Sequence, residues 1–277
     1  MCRLLGVVST TAQPLTALLK DDLEPFTALS SEHCDGWGVA QRDGRGGLTV
    51  RKEPGAARDS AAFQDALGEA HTDAALLHLR KASTGMVNTP DNTHPFTAGQ
   101  VAFAHNGWVG DLPALDEALA EAGGPACQGS TDSERYFGLV MAAMRHVSPE
   151  VALTGVARRL NSSLPVEALN CLLLTPDALY AFTSFDHTRP TSSGHDPVAS
   201  YQLGFRVTEN SVVVASSGWE HSTAPWELLP NGQVLRIHRP TLHTTIHRLV
   251  PTQVSAPACP GQPTSARPAN SLSPSGV

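Results

Sequence analysis

Cys2, directly behind the initiator Met1, offers this chain its most unusual chemistry. Removal of an initiator methionine is efficient when the next residue is small, and cysteine qualifies. The product carries a thiol and a free α-amine on one residue. An α-amine has an ordinary pKa of about 7.7–8.0, so a useful fraction is neutral near pH 7. It can take the thiol proton, directly or through a water, and the thiolate can then attack an amide carbonyl. Taken alone, Cys2 also reads as an incidental small residue.

Acyl transfer needs more than a nucleophile. Ala104-His105-Asn106-Gly107 closes a buried apolar run with a side-chain amide and then a glycine. Asn106 can donate its amide N–H, and Gly107 can present a backbone N–H with no Cβ in the way, which together would make an oxyanion hole. An ordinary Asn-Gly turn is the plainer alternative. A glutamine-like substrate presents an α-carboxylate and an α-ammonium. Arg80, at the end of an apolar strand, suits the carboxylate, and Asp132, at a helix start, suits the ammonium. The plainer alternatives are a solvated arginine and a helix-capping aspartate.

These groups must be held by the elements around them. Arg3 to Ser9 reads as a short strand starting almost at residue one. Trp37 to Arg42 and Leu48 to Lys52 flank a glycine-rich turn and read as a hairpin. Ala74 to Arg80 and Val101 to Asn106 read as buried strands. Helices are expected over Ala61 to Ala70 behind an Asp59-Ser60 cap, and over Leu112 to Glu121 between Asp111 and Gly123-Gly124. Two more are expected, one from the Thr131-Asp132-Ser133-Glu134 capping box to about His146 and one over Pro149 to Leu160. The pattern then turns to β, with strands at Ala168 to Leu174, Leu179 to Phe185, Tyr201 to Val207, Ser211 to Ser216, Val234 to His238 and Thr241 to Leu249. Strands, helices and strands again suit a sheet-rich α+β domain rather than repeating βαβ units. Thr188 to Pro197 reads as a mobile loop. The domain is expected over residues 2–250. Residues 251–277, rich in Pro, Ser and Ala, are expected to be a disordered tail.

Composition narrows the classes of function. The 277 residues carry 41% hydrophobic content and a net charge of −7. Basic residues cluster no further than pairs such as Arg80-Lys81, so a nucleic-acid partner is not expected. No apolar run approaches a membrane span, and the start of the chain is too short for a secretory signal, so a cytoplasmic protein is expected. The five cysteines are scattered and form no CxxC pair, which argues against a disulfide framework or a cysteine zinc site. The twelve histidines include no HExxH, and His243 and His247 stand four apart in a β-like segment. No metal and no cofactor are expected.

Six motifs then stand in one order: Met1-Cys2-Arg3-Leu4-Leu5-Gly6, Asp35-Gly36-Trp37-Gly38, Arg80-Lys81-Ala82-Ser83, Asn92-Thr93-His94-Pro95-Phe96, His105-Asn106-Gly107 and Thr131-Asp132-Ser133-Glu134. Together they resemble the class II glutamine amidotransferases, most closely the small free-standing members. Ala215-Ser216-Ser217-Gly218-Trp219, with Trp226 and Gly232, resembles a later segment of that group. The resemblance implies the αββα fold of N-terminal-nucleophile hydrolases, with two stacked antiparallel sheets between helices. It implies Cys2 as nucleophile with its own amine as base, and Asn106 and Gly107 as the oxyanion hole. It places Arg80 on the substrate carboxylate and Asp132 on its amine, with Ser83 able to hydrogen-bond and His94, His105 and Trp37 behind the site.

The chain departs from the sugar-phosphate synthase branch, where Trp-Ala-Thr-His-Gly follows the carboxylate-binding arginine. Here Lys81-Ala82-Ser83-Thr84-Gly85 stands in that place, so a larger γ-glutamyl compound competes with free glutamine as substrate. Three functions follow. One is a glutaminase passing ammonia to a separate ammonia-using synthase. Another is a hydrolase removing γ-glutamate from a small molecule, similar to the ergothioneine-pathway γ-glutamyl amidohydrolase. The third is an inactive binding module with the same fold.

Overall fold

The structure is a computed structural model that describes residues 1–43, 45–68, 71–83, 85–188, 190–192, 194–219 and 225–248. The expected tail over 251–277, Thr84, and parts of the expected 188–197 loop lie outside the described residues, as do the last residues of the expected 61–70 helix and 241–249 strand. The first half of the chain holds β1 (Arg3–Gln13), α1 (Leu15–Leu18), α2 (Lys20–Ala28), β2 (Gly36–Asp43), β3 (Leu48–Glu53), α3 (Ala61–Gly68), β4 (Thr72–Arg80), β5 (Phe96–Ala98) and β6 (Val101–Val109). Three helices follow, α4 (Leu112–Glu121), α5 (Asp132–Met144) and α6 (Pro149–Ser163). Then come β7 (Val166–Leu174), β8 (Ala178–Thr183), α7 (Pro197–Tyr201), β9 (Leu203–Val207), β10 (Ser211–Ser216), β11 (Glu227–Leu228), β12 (Gln233–His238) and β13 (Thr244–Arg248).

The strands form two sheets, ordered β11-β9-β10-β1-β4-β2-β3 and β13-β12-β8-β7-β6-β5. Side chains alternate across each strand, so every inner strand feeds two cores. On β1, Leu4 and Val8 face the other sheet and pack with Leu172, Leu179 and Leu235. Leu5 and Val7 face the opposite way, against Leu15, Phe26 and Phe63 of α1–α3. The second sheet does the same, sending Phe103, Leu169 and Leu173 against Leu115, Tyr136 and Leu153 of α4–α6. Three apolar layers therefore bond four structural layers, α, β, β and α, as the resemblance implied.

The helix starts follow the capping chemistry of the sequence. Ser60 accepts the Phe63 N–H, Asp111 accepts the Ala114 N–H, and Thr131 accepts the Glu134 N–H. Thr131, not Asp132, is thus the cap of α5. The return bond of a capping box is absent, because the Glu134 carboxylate takes the Gln128 and Gly129 N–H groups instead. The expected strand at Tyr201 starts later, at Leu203. Asp196 accepts the Val198 N–H and Pro197 opens the first turn, so residues 197–201 form a short helix that ends at Tyr201.

The Asp35-Gly36-Trp37-Gly38 motif has a structural account. Asp35 accepts the Ala82 N–H (2.8 Å) and the Asn88 amide (3.0 Å), tethering the segment that follows β4. Trp37 is buried edge-on against Phe63, with ring centroids 5.1 Å apart, in the core between sheet and helices. It therefore supports β2 from the helical side and stands back from the cavity over Cys2. At Gly38 a Cβ would overlap the His94 carbonyl, so only glycine lets β2 and the 93–95 segment approach this closely. Gly38→Ala should destabilise the fold by about 1–3 kcal/mol through overpacking. Urea denaturation of the two proteins side by side would measure it, and equal midpoints would remove this constraint from the account.

Candidate active site

The site forms where the leading end of β1 meets β6 at one end of the sandwich. Alternation puts Cys2 on the same inter-sheet face as Leu4, and Asn106 on the same inter-sheet face as Ala102 and Ala104. With Met1 attached, the Cys2 nitrogen is a peptide N–H, and it donates to Asn106 Oδ1 at 2.9 Å. The Asn106 amide nitrogen donates to the Ser200 carbonyl at 3.2 Å. An N–H on one side and a carbonyl on the other leave a single orientation for this amide, and one of its two N–H groups is still uncommitted to these partners. The Cys2 thiol lies 3.7 Å from the Lys81 carbonyl.

A cavity of about 550 Å³ opens over the thiol, lined by Cys2, Lys81, Ala82, Ser83, Gly107, Trp108, Glu167, His195 and Tyr201 among others. Cys2, Ser83 and Gly107 are thus brought together as expected. Gly107 must be glycine, because a Cβ there would overlap the Ala168 carbonyl of the neighbouring strand. Asn106 is fully buried beneath the cavity in the Met1-bearing chain. Arg80 and Asp132 stand behind the cavity wall. The Arg80 guanidinium is buried and donates to Asn88 Oδ1 (2.5 Å) and the Asp35 carbonyl (3.5 Å). Asp132 Oδ2 accepts the Val109 N–H at 2.7 Å, fixing the strand just past Gly107.

Two asparagines form the floor. Asn106 on β6 and Asn170 on β7 are register partners. Asn106 donates to the Ser200 carbonyl and Asn170 to the Tyr201 carbonyl, so together they hold the end of α7 over the thiol. The Tyr201 hydroxyl donates to Glu167 at 2.7 Å, and burial beside that carboxylate raises its pKa. Arg3, on the opposite face of β1 from Cys2, donates to the Cys2 carbonyl (3.1 Å) and to Ser200 (3.5 Å). Sequence reasoning missed Arg3, Trp108, Glu167, Asn170 and Tyr201 as parts of this site. Arg3 and Trp108 flank quoted motif residues and could have been found there. Asn170 and Tyr201 carry no local signal, because only strand register and the α7 turn bring them in.

Three buried histidines lie between and beside the sheets near the site. His105 Nε2 donates to the Ala168 carbonyl (3.1 Å), which leaves Nδ1 to accept the Ser133 hydroxyl (2.9 Å). His78 meets the His105 carbonyl at 3.2 Å and stacks on His94 at 4.1 Å between centroids. Neither ring nitrogen of His94 has a hydrogen-bond partner. Burial lowers all three pKa values, that of His78 to about 3, and His33, which borders a cavity shared with Met1 and Arg3, falls to about 4 for the same reason. No group of three or more His, Cys, Asp or Glu among the described residues is arranged to hold a metal ion. No helix among them is long and apolar enough to cross a membrane.

The sequence matches the family model described as "Glutamine amidotransferases class-II" over residues 1–258. It is 33% identical over 143 residues to a Haemophilus influenzae protein named "Putative glutamine amidotransferase", covering 50% of this chain and 46% of that one. It is 29% identical over 194 residues to glutamine–fructose-6-phosphate aminotransferase of Rhizobium meliloti, covering 69% of this chain and 28% of that one. The matches therefore span less than half of either relative. A glutamine aminotransferase class-II domain protein from Silicibacter pomeroyi has a similar fold, with a TM-score of 0.65 at 21% identity over 90% of this chain and all of that one. The fold is the αββα sandwich of the N-terminal-nucleophile hydrolases.

The buried histidines make stability depend on pH. Their folded pKa values lie below the unfolded value of about 6.5, so unfolding takes up protons once pH falls below it. Stability is full above that value and declines as pH drops toward the folded pKa values. For His78 alone the loss at pH 5 is about 2 kcal/mol. Urea denaturation at about pH 7.5 and pH 5 should show the decline, and His78→Phe should flatten it.

Proposed function

The chain belongs to the class II glutamine amidotransferases, and from that premise we propose that it hydrolyses the γ-amide of glutamine through Cys2. The observation that carries this reading is the 2.9 Å bond from the Cys2 nitrogen to Asn106 Oδ1, with the thiol opening into a cavity that Gly107 helps line. In the proposed mature chain Met1 is gone and that nitrogen is an amine. It accepts the thiol proton, and the sulfur adds to the γ-carbonyl. The developing oxyanion is held by the remaining Asn106 N–H and the Gly107 N–H. Collapse breaks the C–N bond, and the amine passes its proton to the departing nitrogen. Water, deprotonated by the same amine, then adds to the thioester, and the C–S bond breaks to release glutamate and restore the thiol.

Arg80 and Asp132 are proposed to engage the glutamyl carboxylate and ammonium. For Arg80 this requires exchange of the Asn88 bond for a substrate oxygen, and for Asp132 the use of the oxygen not spent on Val109. The ammonia released would serve a separate acceptor enzyme. That part of the reading is supported by a relative named for glutamine and an acceptor, fructose-6-phosphate. A second reading, hydrolysis of a γ-glutamyl conjugate, is favoured by a further cavity of about 400 Å³ beside the nucleophile, more room than ammonia needs.

Cys2→Ala should abolish glutamate release while leaving the melting transition in place, and retained turnover would refute the mechanism. A glutamine-mimicking electrophile should label Cys2 only in chains that N-terminal mass spectrometry shows to lack Met1. Labelling or turnover with Met1 retained would remove the α-amine from its role. Asn106→Ala should lower kcat about 10²–10³-fold, the range for loss of an oxyanion donor, with steady-state kinetics on glutamine as the measurement.

A further inference from the structure

The cavity beside the nucleophile has a charge pattern that the proposed reaction leaves unused. Its charged and titratable lining is Arg3, Glu32, His33, Lys81, His195 and Asp196, with Met1 at its border. Met1, Lys81 and His195 also line the cavity over the thiol. The tip of β1 is the ridge between them: strand alternation turns Cys2 into one and Arg3 into the other. Met1 borders both, so its removal would join them around the new α-amine. A carbonyl oxygen directed at Gly107 leaves the acyl chain in the first cavity and turns the amide nitrogen away from it, toward this second space.

Positive charge dominates the second cavity where it is buried. Arg3 is 8% exposed and lines this cavity. Burial disfavours the charged guanidinium, and an anion in the cavity that Arg3 lines would offset that cost. Lys81 adds a second cation at the rim. Arg3, the chain N-terminus and Lys81 together bear on His33, adding to the burial that holds it neutral at a pKa of about 4. The opposing carboxylates are both exposed: Asp196 spends one oxygen on the Val198 N–H, and Glu32 faces Arg3. His195 is exposed at the mouth.

We propose that this cavity receives the departing half of the substrate, and that this half is an amine bearing an anionic group such as a carboxylate or sulfonate. The inference rests on the second of the two readings above, in which Cys2 cleaves a γ-glutamyl conjugate rather than glutamine itself. Arg3 binds the anion from the floor and Lys81 from the rim. Both act on specificity rather than on the bond-breaking step.

The test uses the full mature chain and pairs of substrates that differ only in charge on the leaving amine. γ-Glutamylglycine is compared with γ-glutamylglycinamide, and γ-glutamyltaurine with its neutral sulfonamide, with glutamine alongside. The anionic member of each pair should have a kcat/KM about tenfold higher or more, as one desolvated charge contact allows. Lys81→Glu, an exposed substitution, should bring that ratio to about one or below. A wild-type ratio near one with every amide hydrolysed would overturn the inference and leave the γ-glutamyl reading intact. A ratio that survives Lys81→Glu would overturn it too. So would an equal loss on every substrate, which would assign the cations to the glutamyl carboxylate. No turnover of any amide would overturn both readings.

Discussion

The bond between the Cys2 nitrogen and Asn106 Oδ1 is the interaction on which the open end of this molecule depends. It joins the first strand of one sheet to a strand of the other, across the face where the two sheets pack. Its geometry is inherited from two registers, β1 against β4 and β10, and β6 against β7. A one-residue slip in β1 would exchange the faces of Cys2 and Arg3 and put a guanidinium where the thiol belongs. The same asparagine reaches the Ser200 carbonyl with its nitrogen, and Arg3 reaches that carbonyl from the opposite face of the strand. The end of α7 is thereby clamped astride the strand tip. A single amide side chain thus couples Cys2 to the segment that covers it.

The buried histidines look at first like candidates for the base. Their surroundings argue otherwise. His105 points to the helical side of its strand and is committed to Ala168 and Ser133. His94 and His78 are stacked on each other in the packed interior, and burial keeps both neutral. His78 and His105 do structural work by tying carbonyls of β6 and β7, and His94 contributes ring packing against Phe96. With the histidines spent in this way, the proposed mechanism draws its base from the nucleophile's own backbone nitrogen, which sits beside Sγ by covalent geometry.

The strands and the caps were legible because their signals are local. Apolar alternation marked β1, β4 and β6, and the oxygens of Ser60, Asp111 and Thr131 marked helix starts that the hydrogen bonds bear out. The grouping of Cys2, Asn106 and Gly107 was legible through the motifs. Other features depended on distance along the chain. Residues 15–28 fold into α1 and α2 despite Pro25, because Leu15, Leu19 and Phe26 find the outer face of the first sheet. Asp132 looked like a cap or a ligand, yet its nearest partner is the Val109 N–H, 23 residues away. Arg80 looked free at a strand end, but Asp35 and Asn88 enclose it. Propensity and periodicity do not encode such tertiary pairings.

Met1 gives the processing step a physical meaning beyond the chemistry of the amine. Its side chain packs against the Ala168, Phe185 and Tyr201 cluster, next to the strand that backs Gly107. While it stays, Asn106 is sealed from solvent and the two cavities remain apart. In the proposed maturation, excision would remove one residue but change three things together. The peptide nitrogen would become the proposed base, the space above the buried Asn106 would widen beside Gly107, which already lines the cavity, and the space across the β1 tip would become continuous. Because Asn106, Asn170 and Arg3 hydrogen-bond the end of α7 in addition to the packing of Met1 on Tyr201, the covering segment would keep those bonds when the methionine goes. The scaffold of the site is therefore assembled by folding with Met1 in place, and the proposed cut would only uncover it.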